Sequence, residues 1–270
     1  MIFRIDGEIG ELLALTPIIR EWRRRNKNEE VFVETYTPEV FYGNPDVVEA
    51  AVNIPRIGMF FDMNLVRWRE RGVSVEEVYA DVILGDKNFK DWKPFMASRP
   101  EDIDNAKQFK EWMTVGKPVA VVAFNDKMID SGMADEAVKA VEEAGYVIDG
   151  VSGLGVWSLV RSHIDSADLF MGEDGDEAAI ALTTNTPAIV CYSYRSPAYF
   201  PPFRRGLPFR ALVPDRSLCE HAPVCHARKS HVQFSKLYSQ GCVDNKNFCC
   251  RKRSLKNDVV EAIRSMSDRA

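Results

Sequence analysis

The 270-residue chain is 46% hydrophobic and 28% charged, with a pI near 5.5, so it is not basic overall and is long enough for one large core or two modest ones. No window approaches 18 uninterrupted apolar residues, which excludes a spanning helix. The N-terminus MIFRIDGEIG has no basic region followed by a long apolar stretch. We therefore expect no secretory signal, no transmembrane segment and a cytoplasmic location.

The first 115 residues alternate between short apolar runs and helical patterns. Strands are predicted at residues 2–5, 31–33, 50–54 and 57–61. A helix begins near Gly10, where Pro17 should kink it or end its first turns. A second helix is expected over 75–84. Residues 86–116 contain two prolines and an amphipathic helix at 103–112, and we predict that they connect two lobes.

A second alternating unit follows. The apolar, largely β-branched run 118–124 predicts a buried parallel strand. Further strands are predicted at 146–148, 168–171 and 187–192, the last of the sheet, and helices at 133–144, 156–164 and 177–183. The pattern predicts an α/β fold with lobes at 1–115 and 116–213 and a cleft between them, where ligands lie at the carboxyl ends of strands.

Residues 214–270 form a tail with a distinct composition. Five of the six cysteines and three of the four histidines lie between Cys219 and Cys250. No pair has the C-x2-C spacing of a zinc ribbon. The cysteines have three possible roles. A tetrahedral Zn or Fe site suits a reducing cytosol, and free thiols are the second hypothesis. Disulfides, the third, would need an oxidising compartment. The metal hypothesis takes one ligand from each of Cys219, Cys225, Cys242 and Cys249, with Cys250 or His221 as substitutes.

Positive charge is concentrated near the same region. Residues 203–256 contain twelve Lys and Arg against three acids, a balance of +9, which leaves about −14 on the remainder. Such a segment attracts phosphates, nucleic acid or an anionic glycolipid surface, or it is simply a solvated loop.

Several motifs together resemble one family. The run Gly7–Arg20 is similar to the opening of the ADP-heptose:lipopolysaccharide heptosyltransferases, glycosyltransferase family 9, in which a Gly-Asp-x-Gly-Asp loop precedes Leu-Leu and Thr-Pro. Gly43-Asn44-Pro45 resembles a second family motif. Residues 166–175 and 186–190 resemble its nucleotide-binding turn, helix and strand, and Cys249-Cys250 its cysteine-bearing C-terminus. The resemblance covers nearly the whole chain.

The resemblance implies a GT-B fold of two Rossmann-like lobes and an inverting sugar transfer from a nucleotide-diphosphate donor to a hydroxyl of a glycan, a protein or a modified nucleic acid. Glu11 would be the base, although an acid here also complements a helix dipole. Lys127 would neutralise the diphosphate without a metal, unless it is an ordinary loop lysine. Gly7 and Gly10 would let backbone approach the donor. Asp174 and Gly175 would contact phosphate or ribose, unless they only form a capped turn.

The chain departs from the family pattern at three places. Glu11 replaces aspartate, the Asp-Ser/Thr-Gly turn reads Asp174-Gly175-Asp176, and Ala179 stands where the family has histidine. These departures favour a second hypothesis, a non-catalytic GT-B protein that uses the tail and the basic segment to bind nucleic acid or a protein partner.

Overall fold

A computed structural model of the chain describes residues 1–55, 58–66, 74–114, 116–124, 132–192, 208–212 and 255–267. Two parallel sheets flanked by helices make up the fold. Within the described residues, no helix has both the length and the apolar character needed to cross a membrane.

The first sheet has the strand order β3-β2-β1-β4. Its strands are β1 (Ile2–Arg4), β2 (Phe32–Glu34), β3 (Glu49–Ala51) and β4 (Phe60–Asp62). All its pairings are parallel, with Ile2 aligned to Phe32 on one side and to Phe60 on the other. Each of these strands overlaps a predicted strand.

The second sheet has the strand order β6-β5-β7-β8-β9 and is also parallel throughout. Its strands are β5 (Val119–Ala123), β6 (Val147–Gly150), β7 (Leu169–Glu173), β8 (Ala188–Cys191) and β9 (Phe209–Leu212). β5 and β8 are buried along their whole length, as expected for strands covered on both faces. The sequence prediction that 187–192 is the last strand is wrong, because β9 pairs with β8 beyond it.

Seven α-helices lie in the described residues. They are α1 (Ile9–Arg25), α2 (Val75–Tyr79), α3 (Pro100–Thr114), α4 (Met133–Glu143), α5 (Trp157–Ser166), α6 (Asp176–Ala181) and α7 (Leu255–Ser267). A π-helical turn, Ala80–Leu84, continues α2, and 3-10 turns lie at Pro38–Phe41 and Met63–Leu65.

Helix α1 runs through Pro17 without ending there. Proline has no N–H, so it cannot bond to the carbonyl four residues earlier, that of Leu13. The Thr16 hydroxyl donates to this same Leu13 carbonyl at 2.8 Å. The Thr16 oxygen also accepts from the backbone N–H of Phe95 at 2.8 Å. The Thr-Pro pair thus replaces the lost helical bond and ties α1 to the segment that follows α2.

The two sheets share one apolar core. Buried side chains of β1, β2 and α1, such as Phe3, Val33 and Leu12, belong to the same cluster as Phe170 of β7 and Val190 of β8. Helix α1 packs against α6 across this core. The lobes are therefore held together by continuous packing, which fixes the start of α1 against the second sheet.

A helix that precedes the second lobe in the chain and a helix that follows it both pack on this lobe. Helix α3, in the predicted connector, lies against α5, and its Lys110 Nζ lies 3.1 Å from Asp168 Oδ2. Helix α7 packs against α4 with five buried apolar side chains: Leu255, Val259, Ala262, Ile263 and Met266. The end of the chain thus belongs to the core of this lobe.

The two metal-type residues outside the tail have structural partners. Cys191 is buried in β8. His163 Nδ1 lies 2.7 Å from Asp149 Oδ2, and both side chains are largely buried. In the part of the chain that the structure describes, no group of three or more His, Cys, Asp or Glu side chains is placed to hold a metal ion.

Candidate active site

The first wall of the candidate site is the loop from β1 into α1. This loop leaves the carboxyl end of β1, which lies between β2 and β4 in the sheet. Parallel α/β sheets bind ligands beyond the carboxyl ends of their strands. The Asp6 backbone N–H donates to Asn64 Oδ1 at 2.8 Å, which holds the loop to the turn after β4. The loop therefore enters α1 from a fixed position.

Glu11 lies in the first turn of α1 with 9% of its surface exposed. Its Oε2 accepts from the backbone N–H of Glu8 at 3.2 Å. This contact satisfies an N–H that a helix start leaves without an intrahelical partner. Glu11 thus caps the start of α1, and the bond fixes the direction of its carboxylate. The alternative that the sequence left open beside catalysis was an acid that complements the helix dipole, and the capping bond is a finding of the structure.

Gly7 is required by the position of that carboxylate. A Cβ at residue 7 would lie 2.2 Å from Glu11 Oε2 and 3.2 Å from Glu11 Cβ, closer than real Cβ contacts allow. The absence of a side chain at Gly7 is therefore what allows Glu11 to fold back over the loop. Gly7 acts on Glu11, and the predicted backbone contact with a donor is not needed to explain it.

The second wall is the turn after β7, formed by Asp174, Gly175 and Asp176. The Asp174 backbone N–H donates to the carbonyl of Cys191 at 3.1 Å, which anchors the turn to the end of β8. Gly175 has φ −141° and ψ −164°, a conformation open to any residue. A Cβ there would meet its nearest neighbour, Glu177 Oε2, at 3.7 Å. The family's hydroxyl residue would thus fit at Gly175 without strain.

A cleft opens between these two walls. Its empty space is about 390 Å³ and is open to solvent. It is lined by Glu8, Gly10, Asp174, Gly175, Asp176, Ala178, Ala179, Leu182, Val190 and Tyr192. It therefore joins the start of α1 to the carboxyl ends of β7 and β8, as the sequence predicted for a ligand cleft.

The structure brings three of the predicted site residues to this cleft, namely Gly10, Asp174 and Gly175. Gly7 and Glu11 lie in the adjoining loop and helix turn. Lys127 lies outside the described residues, in the segment that follows β5. The four predicted metal ligands lie outside them as well: Cys219, Cys225, Cys242 and Cys249.

The described lining of the cleft is acidic. Glu8, Asp174 and Asp176 contribute carboxylates, and none of the described lining residues is basic. A diphosphate would be repelled here unless a cation stood beside it. A donor site in this cleft therefore requires positive charge from the segments outside the described residues, which include Lys127.

No protein-family model and no curated protein sequence matches the chain. Solved structures do. A glycosyl transferase family 9 protein of Veillonella parvula DSM 2008 has a TM-score of 0.64 at 10% identity, over 100% of this chain and 97% of its own. For ADP-heptose lps heptosyltransferase II of E. coli the TM-score is 0.63 at 11% identity, over 100% of both chains.

A third similar structure is TibC, an iron-containing dodecameric glycosyltransferase of enterotoxigenic E. coli H10407. Its TM-score is 0.68 at 14% identity, over 99% of this chain and 76% of TibC. Three glycosyltransferase structures thus match over essentially the whole chain. The fold is that of the family 9 glycosyltransferases. The sequence resemblance is confirmed at the level of the fold.

Two of the three departures from the family pattern, the Asp174-Gly175-Asp176 turn and Ala179, lie in the cleft itself. Ala179, which replaces the family's histidine, lines it with a methyl group. Asp176, which replaces the glycine of the family's turn, begins α6, and its Oδ1 accepts from the backbone N–H of Ile9 at 3.0 Å. The extra carboxylate is therefore part of the contact between the two walls.

Sequence reasoning assigned no site role to three lining residues with polar side-chain groups: Glu8, Asp176 and Tyr192. Glu8 stands where the family loop has its first aspartate, and that alignment was a signal for it. Asp176 likewise stands in the family's turn, where the resemblance identified it only as an extra charge. The place of Asp176 and Tyr192 in the cleft depends on the pairing of β7 with β8 and on the packing of α6 against α1.

Proposed function

We propose that this protein is an inverting glycosyltransferase that moves a sugar from a nucleotide-diphosphate donor to a hydroxyl acceptor. The observation that carries the proposal is the cleft in which the acid-bearing start of α1 faces the Asp174-Gly175 turn. The glycosyltransferase fold supports it, because the matched structures have the same fold over the full length of the chain.

The reaction needs a base, a stabilised leaving group and two reactants held in line. We assign the base to Glu11, whose carboxylate would take the proton of the acceptor hydroxyl as its oxygen bonds to the sugar's anomeric carbon. The bond from that carbon to the donor phosphate breaks, and the diphosphate leaves with the electron pair. Lys127 would offset this charge without a metal, while Asp174, Gly175 and Gly10 would contact the donor.

The choice of sugar donor follows from two of the matched structures. TibC has been solved in complex with ADP-D-β-D-heptose, and heptosyltransferase II is an ADP-heptose enzyme by name. We therefore propose an ADP-linked heptose as the first donor to test. For the acceptor, the +9 balance of residues 203–256 supports an anionic glycan, a protein or a modified nucleic acid, and a peripheral contact with an anionic surface. The cytoplasmic location stays a prediction.

Incubation with a panel of nucleotide sugars tests the function. At one hundred times its dissociation constant, a cognate donor should stabilise the protein by about 2.7 kcal/mol in thermal unfolding. Adding the acceptor should then release the nucleoside diphosphate. If no nucleotide sugar and no free nucleotide stabilises the protein, the proposal is wrong.

The acidic cleft and Ala179 favour a second function, that of a non-catalytic protein with this fold that binds nucleic acid or a protein partner. The same panel separates the two. A non-catalytic binding protein would release no nucleoside diphosphate with any pair of donor and acceptor. An anionic polymer would still raise its unfolding temperature, although no sugar is transferred.

We also propose that the tail holds one structural Zn or Fe through Cys219, Cys225, Cys242 and Cys249. The proposal rests on the clustering of these cysteines, and the iron-containing description of TibC supports it. Elemental analysis of the purified protein should find about one metal per chain with thiolate coordination. Chelation should expose the thiols to titration before the two lobes unfold. A metal-free protein with freely titratable thiols would contradict the proposal.

A further inference from the structure

Each lobe supplies a carboxylate to the first helical amide of a helix in the other lobe. Asp176 Oδ1, in the second lobe, accepts from the Ile9 N–H at the start of α1, at 3.0 Å. Glu39 Oε1, in the first lobe, accepts from the Trp157 N–H at the start of α5, at 3.3 Å. The first amides of a helix have no intrahelical partner, so both contacts satisfy groups that would otherwise need water or a local cap.

The Glu39 contact supplies a cap that α5 does not have locally. The residue before α5 is Val156, whose side chain cannot accept a hydrogen bond, and the first turn of α5 contains no acid. A carboxylate at this end also complements the helix dipole. Glu39 is half-buried in the 3-10 turn Pro38–Phe41 and is not among the residues that line the cleft. This contact is therefore explained by helix capping alone.

The Asp176 contact differs because one of its ends lines the cleft and the other lies between two lining residues, Glu8 and Gly10. Asp176 lines the cleft and directly follows the Asp174-Gly175 turn. Ile9 lies between Glu8, which lines the cleft, and Glu11, which bonds back to the Glu8 N–H. One hydrogen bond thus joins the Asp174-Gly175 turn, called the donor turn here because we propose that it contacts the sugar donor, to the loop that sets the direction of the Glu11 carboxylate.

We propose that Asp176 is a positioning residue, which holds the Glu11 base at a fixed place relative to the donor turn. The proposal rests on the proposed sugar transfer, and it assigns a role to the carboxylate that replaces the glycine of the family's turn. The contact joins two elements that also pack against each other through the shared core. A displacement of about 1 Å at a reacting group can cost about 10²-fold in rate.

The test compares three variants of the full chain. Asp176→Ala removes the acceptor for the Ile9 N–H. Asp176→Asn keeps an oxygen at that place and serves as the conservative variant. Glu39→Ala breaks the matching contact on α5, away from the cleft, and is the control for a lost interlobe cap. For each variant, kcat and KM for the nucleotide sugar, thermal unfolding and amide hydrogen exchange are measured.

Asp176→Ala should lower kcat by about 10²-fold, while KM for the donor should not rise, because the loss of a carboxylate lessens the repulsion of the diphosphate. Asp176→Asn should recover most of that loss. Glu39→Ala should lower the unfolding temperature but leave kcat near that of the wild type. Hydrogen exchange should accelerate around Ile9 in Asp176→Ala and around Trp157 in Glu39→Ala.

Two results would overturn the positioning role alone. The first is that the wild type transfers sugar and the kcat of Asp176→Ala is as high as that of Glu39→Ala. The second is that amide hydrogen exchange around Ile9 is no faster in Asp176→Ala than in the wild type. A wild type that is inactive with every donor of the panel overturns the proposed function, and the positioning role with it. The exchange data then still report whether the interlobe contact exists.

Discussion

Replacing Glu11 with glutamine is expected to lower the turnover of sugar transfer by about 10²–10⁴-fold, the usual contribution of a general base. Glutamine has nearly the same shape, and its side-chain oxygen can still accept from the Glu8 N–H. The helix start should therefore keep its structure, while the group that takes the acceptor's proton is lost. Turnover is measured with the cognate donor, and donor affinity by calorimetric titration, which should show little change.

Gly7→Ala gives a second test of the same carboxylate. The new Cβ would lie 2.2 Å from Glu11 Oε2, so the carboxylate must move although its charge is unchanged. We expect a fall in turnover here as well. Gly150→Ala is the matched control, because a Cβ at Gly150, at the end of β6, meets no atom within 4 Å. Near-normal turnover of Glu11→Gln would leave Glu11 with its capping role only and remove it from the mechanism.

The course of α1 shows what a local pattern can predict and what it cannot. Apolar spacing predicted a helix from Gly10 onward, and Pro17 predicted a kink or an end within it. The helix does not end at Pro17, and the Thr16 hydroxyl bonds to the Leu13 carbonyl that proline leaves without a donor. Helix breaking by proline is a property of the backbone alone, whereas this repair depends on one neighbouring side chain.

The residues of the candidate site also differ in whether the sequence alone could predict their role. Gly10, Asp174 and Gly175 were assigned from the family resemblance, and they line the cleft because the start of α1 and the turn after β7 lie beyond the carboxyl ends of parallel strands. Asp176 acquires its contact only from the packing of α6 against α1, between residues far apart in sequence. Composition and spacing contain no signal for such a pairing. The resemblance identified Asp176 only as an extra charge.

The end of the second lobe was the least predictable part of the fold. Strand β9 (Phe209–Leu212) is short and only partly buried, with an arginine at its second position, so no apolar run marks it. Helix α7 lies within the range assigned to the tail, yet its apolar face completes the core beside α4. The division of the chain into 1–115, 116–213 and 214–270 stays a prediction, and both elements lie near or beyond its last boundary.

Glu76 is a feature that no sequence pattern indicated. It lies in α2 with 1% of its surface exposed, and its two carboxylate oxygens make no hydrogen bond of standard geometry to the described residues. The nearby Ser74 hydroxyl and the Glu76 backbone N–H favour the ionised form, but less strongly than burial disfavours it. Burial in this apolar setting raises its pKa from 4.5 to about 8. The folded protein therefore holds a neutral carboxylic acid near pH 7, whereas the unfolded chain exposes a carboxylate. Helical spacing alone gives an acid in the first turn of a helix no reason to be buried.

Glu76→Gln is expected to stabilise the protein at neutral pH and to weaken its loss of stability with rising pH. In the wild type, the folded state binds a proton that the unfolded state releases between pH 4.5 and about 8, so the free energy of unfolding falls as the pH rises through this window. A pKa difference of this size costs the wild type about 3 kcal/mol at pH 7 and little near pH 4.5. Glutamine does not titrate, so the variant avoids that cost.

The measurement is the free energy of unfolding of both proteins by urea denaturation at several pH values from 5 to 8. The advantage of Glu76→Gln should grow steadily across this range. Glu77→Gln is the control, because Glu77 is the exposed neighbour of Glu76 and accepts from the Ser74 N–H, a bond that glutamine can keep. Its stability relative to the wild type should stay nearly constant with pH. If the Glu76→Gln advantage were equally constant, the buried acid would be charged in the folded protein, and burial would not govern its titration.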